Sequence, residues 1–354
     1  MTLLVPNPQS PAACGYRWPA EWEPHVATWL SWPHNRKSWP DAFELVPGIF
    51  ANYVKTIARF EPVQINAGTE PVLAEARALV GNVANVTLHD FPTNDAWCRD
   101  HGPTFLSAPP DQPPALIDWR YNAWGNKYPP FDRDDDIARL IAEFRGYRRI
   151  QPGIVMEGGA IEGNGQGTIL TTTQCLLNPN RNPHLTRADV EQYFADYLGT
   201  KQVVWLTGGD LAGDDTDGHI DQLARFVNAD TVVCALENNP DDENYAPLQT
   251  NFRELQATTL PDGRPLRVIP LLMPRPLFHN GDPELRMPGS YCNFHIANGV
   301  VIVPLFNDPN DRLAMKILKS LFPTREIIGL PAIELIWGLG AYHCLSQQEP
   351  EPRT

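Results

Sequence analysis

The stretch Asp215-Thr216-Asp217-Gly218-His219-Ile220-Asp221 leads into an apolar run, Leu223 to Val227. A polar turn, Asn228-Ala229-Asp230, and a second apolar run, Thr231 to Ala235, follow. Short apolar runs bounded by turn residues read as buried strands. The opening stretch is read as the start of the first strand. Alternate residues of a strand share a face, so His219 and Asp221 are expected side by side. A histidine beside a carboxylate can move protons near neutral pH, and the carboxylate can also grip a cation. A turn of solvated acids with a structural histidine would use the same residues and do no chemistry. The rest of the chain must decide between the two.

The strand, polar turn, strand pattern recurs. It pairs Pro103–Leu106 with Ala115–Asp118, and Gly159–Glu162 with Thr168–Thr172 across Gly163-Asn164-Gly165. It returns as Asn293–Ile296, Ala297-Asn298-Gly299 and Val300–Pro304, where Asn-Gly is a strong hairpin signal. Helical periodicity separates the units, at 41–59, 71–80, 132–145 and 186–198. Strands are also predicted at 27–33, 62–67 and 83–89, and a last strand region at 331–338 and 342–346. This spacing predicts an α/β fold of four or five ββαβ-like units. Radial repetition of such units surrounds a central channel.

The chain has 354 residues, 42% of them hydrophobic, enough for a sizeable core. Residues 1–16 read as a loose leader and 17–354 as a single catalytic domain. The net charge of -14 argues against a nucleic-acid partner and suits a small cationic one. The six cysteines are scattered without a paired pattern, which fits free thiols in a reducing, cytoplasmic compartment. No apolar stretch approaches bilayer length, so no membrane partner is expected. A homo-oligomer is compatible with the sequence, which specifies no contact for it.

Four segments carry polar clusters where a loop meets a strand. They are Asn94–Pro103, Met156-Glu157-Gly158-Gly159, the opening stretch, and Gly338–Pro350 with Cys344. A radial fold would bring Asp100, Glu157, His219, Asp221 and Cys344 together. Cys344 is the candidate nucleophile, since a thiol is the least handicapped side chain at neutral pH. His219 can shuttle protons and Glu157 can orient its ring. Asp100 and Asp221 can hold a guanidinium through paired charge-assisted bonds, and Trp97 can stack on that planar cation. His343 would face away from Cys344 in a strand and is set aside, as is His101. A calcium loop needs an acid at 213 and Glu at 224, where Gly213 and Ala224 stand. No zinc-binding spacing occurs, and Gly163–Thr168 lacks the dinucleotide and Walker patterns. No metal is expected.

Taken jointly, these motifs resemble the agmatine deiminase family of the guanidine-modifying superfamily. Asn94–Pro103, Glu157-Gly158-Gly159, Asp215–Asp221, Ser290–Gly299 and His343-Cys344 with Gln347-Gln348 carry the resemblance, supported by Trp32-Pro33-His34 and Leu176–Asn182. It extends from about Trp18 to Pro350. It implies a pseudo-fivefold α/β propeller (pentein) of ββαβ units, and cofactor-free hydrolysis of agmatine to N-carbamoylputrescine and ammonia. The implied roles are Cys344 as nucleophile, His219 as general acid/base, Glu157 as its partner, and Asp100 with Asp221 on the guanidinium. Gly338–Ala341, Asp215 and Asp217 depart from the family pattern. The departures bear on the distal end of the substrate, where Asp215 is the candidate contact. Other readings are a deiminase of free or peptidyl arginine, an amidinotransferase, and a non-catalytic guanidine-binding protein.

Overall fold

The computed structural model describes residues 3–352. Its plan is one supersecondary unit used repeatedly. Thr104–Leu106 pairs antiparallel with Ala115–Ile117, which pairs parallel with Arg148–Ile150. The helix Asp132–Arg145 makes the crossover between the parallel strands. The same antiparallel-then-parallel order holds for Glu162–Gly163, Thr168–Thr172 and Gln202–Leu206. It holds again for Ala224–Asn228, Thr231–Leu236 and Arg267–Leu272, and for His295–Ala297, Val300–Leu305 and Glu326–Pro331.

The remaining unit is assembled from both ends of the chain. His25–Ser31 runs parallel to Val63–Asn66, while Ser346–Pro350 pairs antiparallel to it, with Trp29 opposite Gln347. Val86–His89 extends that sheet. This end-to-end pairing anchors the segment just after Cys344. The chain is therefore α/β, with five small sheets of this plan and one two-stranded hairpin among the described residues.

Local chemistry explains the elements. Val300–Leu305 is buried along almost all its length, as a central parallel strand should be. Gly299 takes φ 75 in the turn before it, a conformation open to glycine. The helix Arg187–Leu198 opens with a capping box between Thr186 and Asp189 and closes at Gly199 in the left-handed region. Asp132, Asp134 and Asp135 place negative charge at the positive end of the helix Asp132–Arg145. Val46, Phe50, Tyr53, Val54 and Ile57 form the buried stripe of Val46–Ile57.

Three expectations are corrected. The stretch 215–221 is not a strand: it turns, Ile220–Gln222 is a short 3-10 helix, and the strand starts at Ala224. Gly218, at φ 88, supplies the turn. The last strand is Ser346–Pro350; Leu335–Gly338 is a 3-10 helix, and His343 and Cys344 sit in the turn between them. The segment read as a loose leader is tied to the body by discrete hydrogen bonds, although Leu3 and Val5 are exposed; its first two residues are outside the described ones. Leu4 N donates to Lys201 O (3.0 Å) and Ala12 N to Asp196 O (3.0 Å). The Tyr16 ring is buried, and its hydroxyl donates to Pro113 O (2.9 Å).

Candidate active site

Gly159 marks the centre of the site. A Cβ built there would lie 2.6 Å from His219 Nδ1, 2.8 Å from Asp100 Oδ1 and 3.2 Å from Asp221 Oδ2. Three chemically active side chains from two segments, Asn94–Pro103 and Asp215–Asp221, thus surround one backbone position. Gly158, next to it, is pressed on the carbonyl of Arg99, 2.1 Å from where a Cβ would stand. The paired glycines let the Glu157 turn dock onto the short helix Cys98–His101. Gly159→Ala is expected to lower kcat/KM about 30-fold, equivalent to ~2 kcal/mol of overpacking at the reacting centre. Steady-state kinetics alongside thermal melting checks this; a fully active alanine variant would remove Gly159 from the centre.

Each acid is held differently. Asp100 Oδ1 accepts from Gly159 N and Oδ2 from Trp124 Nε1, both at 2.9 Å. Burial raises the Asp100 carboxyl above its usual range; His219 opposes this, and Asp221 and Glu157 add to it. Asp221 Oδ2 accepts from His343 Nδ1 at 2.7 Å and from Asn293 Nδ2 at 3.2 Å. Burial works against its charge, but the His343 hydrogen bond and neighbouring cations outweigh burial and hold Asp221 below the usual range. Its Oδ1 is buried without a partner. Glu157 Oε1 accepts from Arg181 Nε at 2.8 Å, and its Oε2 is likewise unpartnered.

The Cys344 thiol lies 3.3 Å from Asp221 Oδ2 and accepts from Asn293 Nδ2 at 3.0 Å. Burial, then the charges of Asp221 and Asp100, hold this thiol well above its usual pKa, with Asn293 pulling the other way. His219 Nδ1 is 3.7 Å from Asp100 Oδ1, and neither ring nitrogen has a well-formed hydrogen bond. Burial disfavours charge on the ring, but Asp100 and the other acceptors around it outweigh that and raise the His219 pKa well above its usual value. The site thus contains carboxylate oxygens, Asp221 Oδ1 and Glu157 Oε2, that no protein donor meets. A guanidinium, which has five N–H donors and no acceptor, complements it.

Of these groups, Asp100 and Cys344 line a cavity of about 840 Å³, and His219, Asp221 and Glu157 are buried behind them. Trp97 lines it, tilted 32° against Trp39 at 5.2 Å, with Gly338 and Gly340 packed on its ring. Asp215 also lines it, further out, accepting from the Tyr128 hydroxyl. Asp217 is taken up by Arg181, Lys127 and Asn180. The structure therefore brings Cys344, His219, Glu157, Asp100 and Asp221 together and puts Trp97 and Asp215 on the wall.

Several neighbours escaped the sequence reading. Asn293 Oδ1 accepts from the backbone N–H of Ala341 (3.1 Å), His343 (3.2 Å) and Cys344 (3.3 Å), so one amide fixes the whole turn. Its segment was read as the start of a hairpin and as one of the motifs of the resemblance, with no role given to Asn293 itself. His343, set aside on a strand argument, faces Asp221 because the segment is a turn; its Nε2 meets Glu21 Oε2 at 2.9 Å. Trp124 reaches Asp100 through a left-handed backbone at φ 54 and ψ 46, and only the aromatic-and-turn composition of 121–126 hinted at it. Arg99, next to Asp100 in sequence, donates to Gln347 (2.9 Å) and Gln348 (2.7 Å).

Among the described residues, two groups of side chains have donor atoms close enough to hold a metal ion. In Glu21, Glu162 and His343 the space between the acids is filled by the guanidinium of Arg225. In Glu157, Cys175 and His219 the donors lie within 4.8 Å of one another, but Arg181 already neutralises Glu157 and its charge opposes a second cation. The described donor sets fit a structural arginine better than a metal in both places.

With this geometry in place, known proteins can be compared. A family model for Porphyromonas-type peptidyl-arginine deiminases matches residues 17–350. The chain belongs to this deiminase family. An agmatine deiminase of Pseudomonas aeruginosa (strain LESB58) is 39% identical over 98% of this chain and 99% of its own. Among solved structures, the agmatine deiminase of Enterococcus faecalis superposes with a TM-score of 0.91 at 32% identity, covering 98% of this chain and 100% of that one. A cysteine-to-serine variant of C. jejuni agmatine deiminase with substrate bound gives 0.87 at 30% identity, over 95% and 97%. Membership in the deiminase family accounts for a site built for a planar cation. No helix among the described residues is long and apolar enough to cross a membrane.

Proposed function

We propose that this enzyme hydrolyses agmatine to N-carbamoylputrescine and ammonia through a covalent intermediate on Cys344. The observation that carries the reading is the placement of the Cys344 sulfur 3.3 Å from Asp221 Oδ2, beside the ring of carboxylates and His219 around Gly159. The full-length relatives bearing the agmatine deiminase name support the substrate. In the reading, the five sheets of one plan stand radially as a pseudo-fivefold propeller, with the site at the axis.

Asp100 and Asp221 bind the guanidinium, and proximity lowers the barrier. The bound cation offsets the charges of Asp221 and Asp100 and brings the thiol pKa down, so that the thiol loses its proton to solvent and His219 keeps its own. The thiolate attacks the guanidinium carbon and a C–S bond forms. His219 gives its proton to the departing nitrogen, the C–N bond breaks and ammonia leaves. An S-alkylthiouronium remains. His219 then takes one proton from water as the oxygen attacks the same carbon; the C–S bond breaks to return the thiolate, and the remaining hydroxyl proton leaves to solvent, where it accounts for the protonation of the released ammonia, giving the neutral ureido product. Glu157 orients His219, with Arg181 holding Glu157. Trp97 supplies a flat face beside the cation, and Asp215 is the candidate partner for the distal amine. The reaction needs no cofactor. The reading places the enzyme in the cytoplasm, supported by six cysteines outside any disulfide; assembly into a homo-oligomer is a question for light scattering.

The test is a panel of agmatine, free arginine and a blocked arginine peptide, assayed for ammonia and ureido product without an acceptor amine. Agmatine is expected to exceed free arginine by at least about a hundredfold in kcat/KM, equivalent to ~2.7 kcal/mol. The cavity's basic side chains, Arg36 and Lys37, are exposed. Asp100 and Asp215 line the cavity with them, and they repel a substrate carboxylate. Comparable rates for the two substrates would remove agmatine and leave only deiminase chemistry.

A further inference from the structure

We propose that Leu339 sets the preferred length of the substrate's carbon linker, its side chain forming the apolar wall against which the methylenes lie. This rests on the deimination reading above and deepens it. Leu339 has φ 70 and ψ 6. That left-handed conformation crowds the Cβ of any L residue against the backbone, and bulky side chains rarely adopt it. A glycine would sit there without strain. Both neighbours are glycines for a packing reason. A Cβ at Gly338 would meet Trp39 Nε1 at 2.5 Å, and one at Gly340 would meet Trp97 Cζ3 at 2.5 Å and Cys344 Cβ at 3.0 Å. The segment 338–340 is therefore pressed onto Trp97 and carries one side chain only, at the position where a side chain is most strained.

The strained backbone is held in place. Leu339 N donates to Ile336 O at 2.8 Å, and Leu339 O accepts from Gln222 Nε2 at 3.2 Å. Gln222 follows Asp221, so the wall is registered against the carboxylate that holds the guanidinium in the reading above. Leu339 is half-buried and lines the cavity with Trp97, Trp337 and Cys344. A strained residue kept by its surroundings at a site points to a role there. The role fits the chemistry of the substrate. Asp100 and Asp215 answer the charged ends of an aminoalkylguanidine, but the uncharged methylenes between them gain only from apolar surface. A rigid apolar wall between two polar contacts measures how many methylenes fit.

The experiment uses ω-aminoalkylguanidines with three-, four-, five- and six-carbon linkers, turned over by the wild type and by Leu339→Ala, Leu339→Gly and Leu339→Met. Alanine keeps the strained Cβ and removes the wall; glycine removes both; methionine keeps a wall of similar volume. Alanine and glycine are both expected to flatten the length profile. The kcat/KM ratio of the best linker to the next longer one should fall at least about fivefold. The glycine variant should melt at or above the wild-type temperature, because strain is relieved. Methionine should keep the wild-type profile. Wild-type length profiles in both the alanine and glycine variants would reduce Leu339 to packing. A flattened profile in glycine alone would assign the effect to backbone freedom, and would equally overturn the proposal. Failure of the wild type to turn over any of these guanidines would instead remove the deimination reading itself.

Discussion

Turnover is expected to stop in a Cys344→Ala variant that still folds and still binds guanidines. Loss of a covalent nucleophile removes the step itself, and kcat should fall by roughly four orders of magnitude or more. The fold should survive because little changes around the position. Cys344 is 6% exposed, on the wall of the cavity, and only its sulfur is removed. The turn keeps its three backbone bonds to Asn293 Oδ1. Asp221 keeps its bonds from His343 and Asn293, so the grip on the cation remains. Ammonia release, circular dichroism and calorimetric titration with agmatine check the three parts together. Ammonia release above a few per cent of wild type would rule out Cys344 as the nucleophile.

Asp221→Asn is expected to damage both rate and affinity, while making the thiol more reactive toward a simple electrophile. An asparagine can turn its oxygen toward His343 and Asn293, the donors that hold Asp221 Oδ2. Its NH₂ then occupies the place of Oδ1, the buried oxygen without a partner. A donor there meets the N–H groups of the guanidinium, and the charge-assisted bond is gone. The expected loss in kcat/KM is roughly 2–4 kcal/mol in transition-state binding. The thiol moves in the opposite direction. Burial is the main cause of the raised Cys344 pKa and the Asp221 charge the next. Removing that charge lowers the pKa and increases the thiolate fraction at a fixed pH near 8. Alkylation of Cys344 by iodoacetamide should therefore quicken while agmatine turnover collapses. Near-wild-type kcat/KM would place Asp221 outside the substrate's reach.

The sequence made the repeating unit legible because its signals are local. The Asn298-Gly299 turn signal and the helical periodicity at 132–145 and 186–198 act within a few residues, and the corresponding elements lie within a few positions of where they were expected. The site residues were legible for a related reason: each precedes a strand by a few residues, where polar clusters break an apolar pattern. Partner choice was not legible. Arg181 joins Glu157 to Asp217, and Glu21 meets Arg225, Arg99 and His343, across separations that no local period encodes. The two strand errors share one cause. Period-2 alternation was assumed across 215–221 and 342–346, whereas Gly218 at φ 88 and the turn at 342–345 break it. That assumption turned His343 away from the site and hid Asn293, whose side chain organises a turn that a strand would not have needed.

Covalent catalysis on Cys344 is tested most directly by rapid acid quench of the enzyme during agmatine turnover, followed by peptide mass analysis. The expected result is an adduct on Cys344 with the mass of agmatine less one ammonia, forming and decaying at rates that support steady-state turnover, and absent from Cys344→Ala. Full turnover with no adduct on Cys344, or with the adduct on another residue, would contradict it.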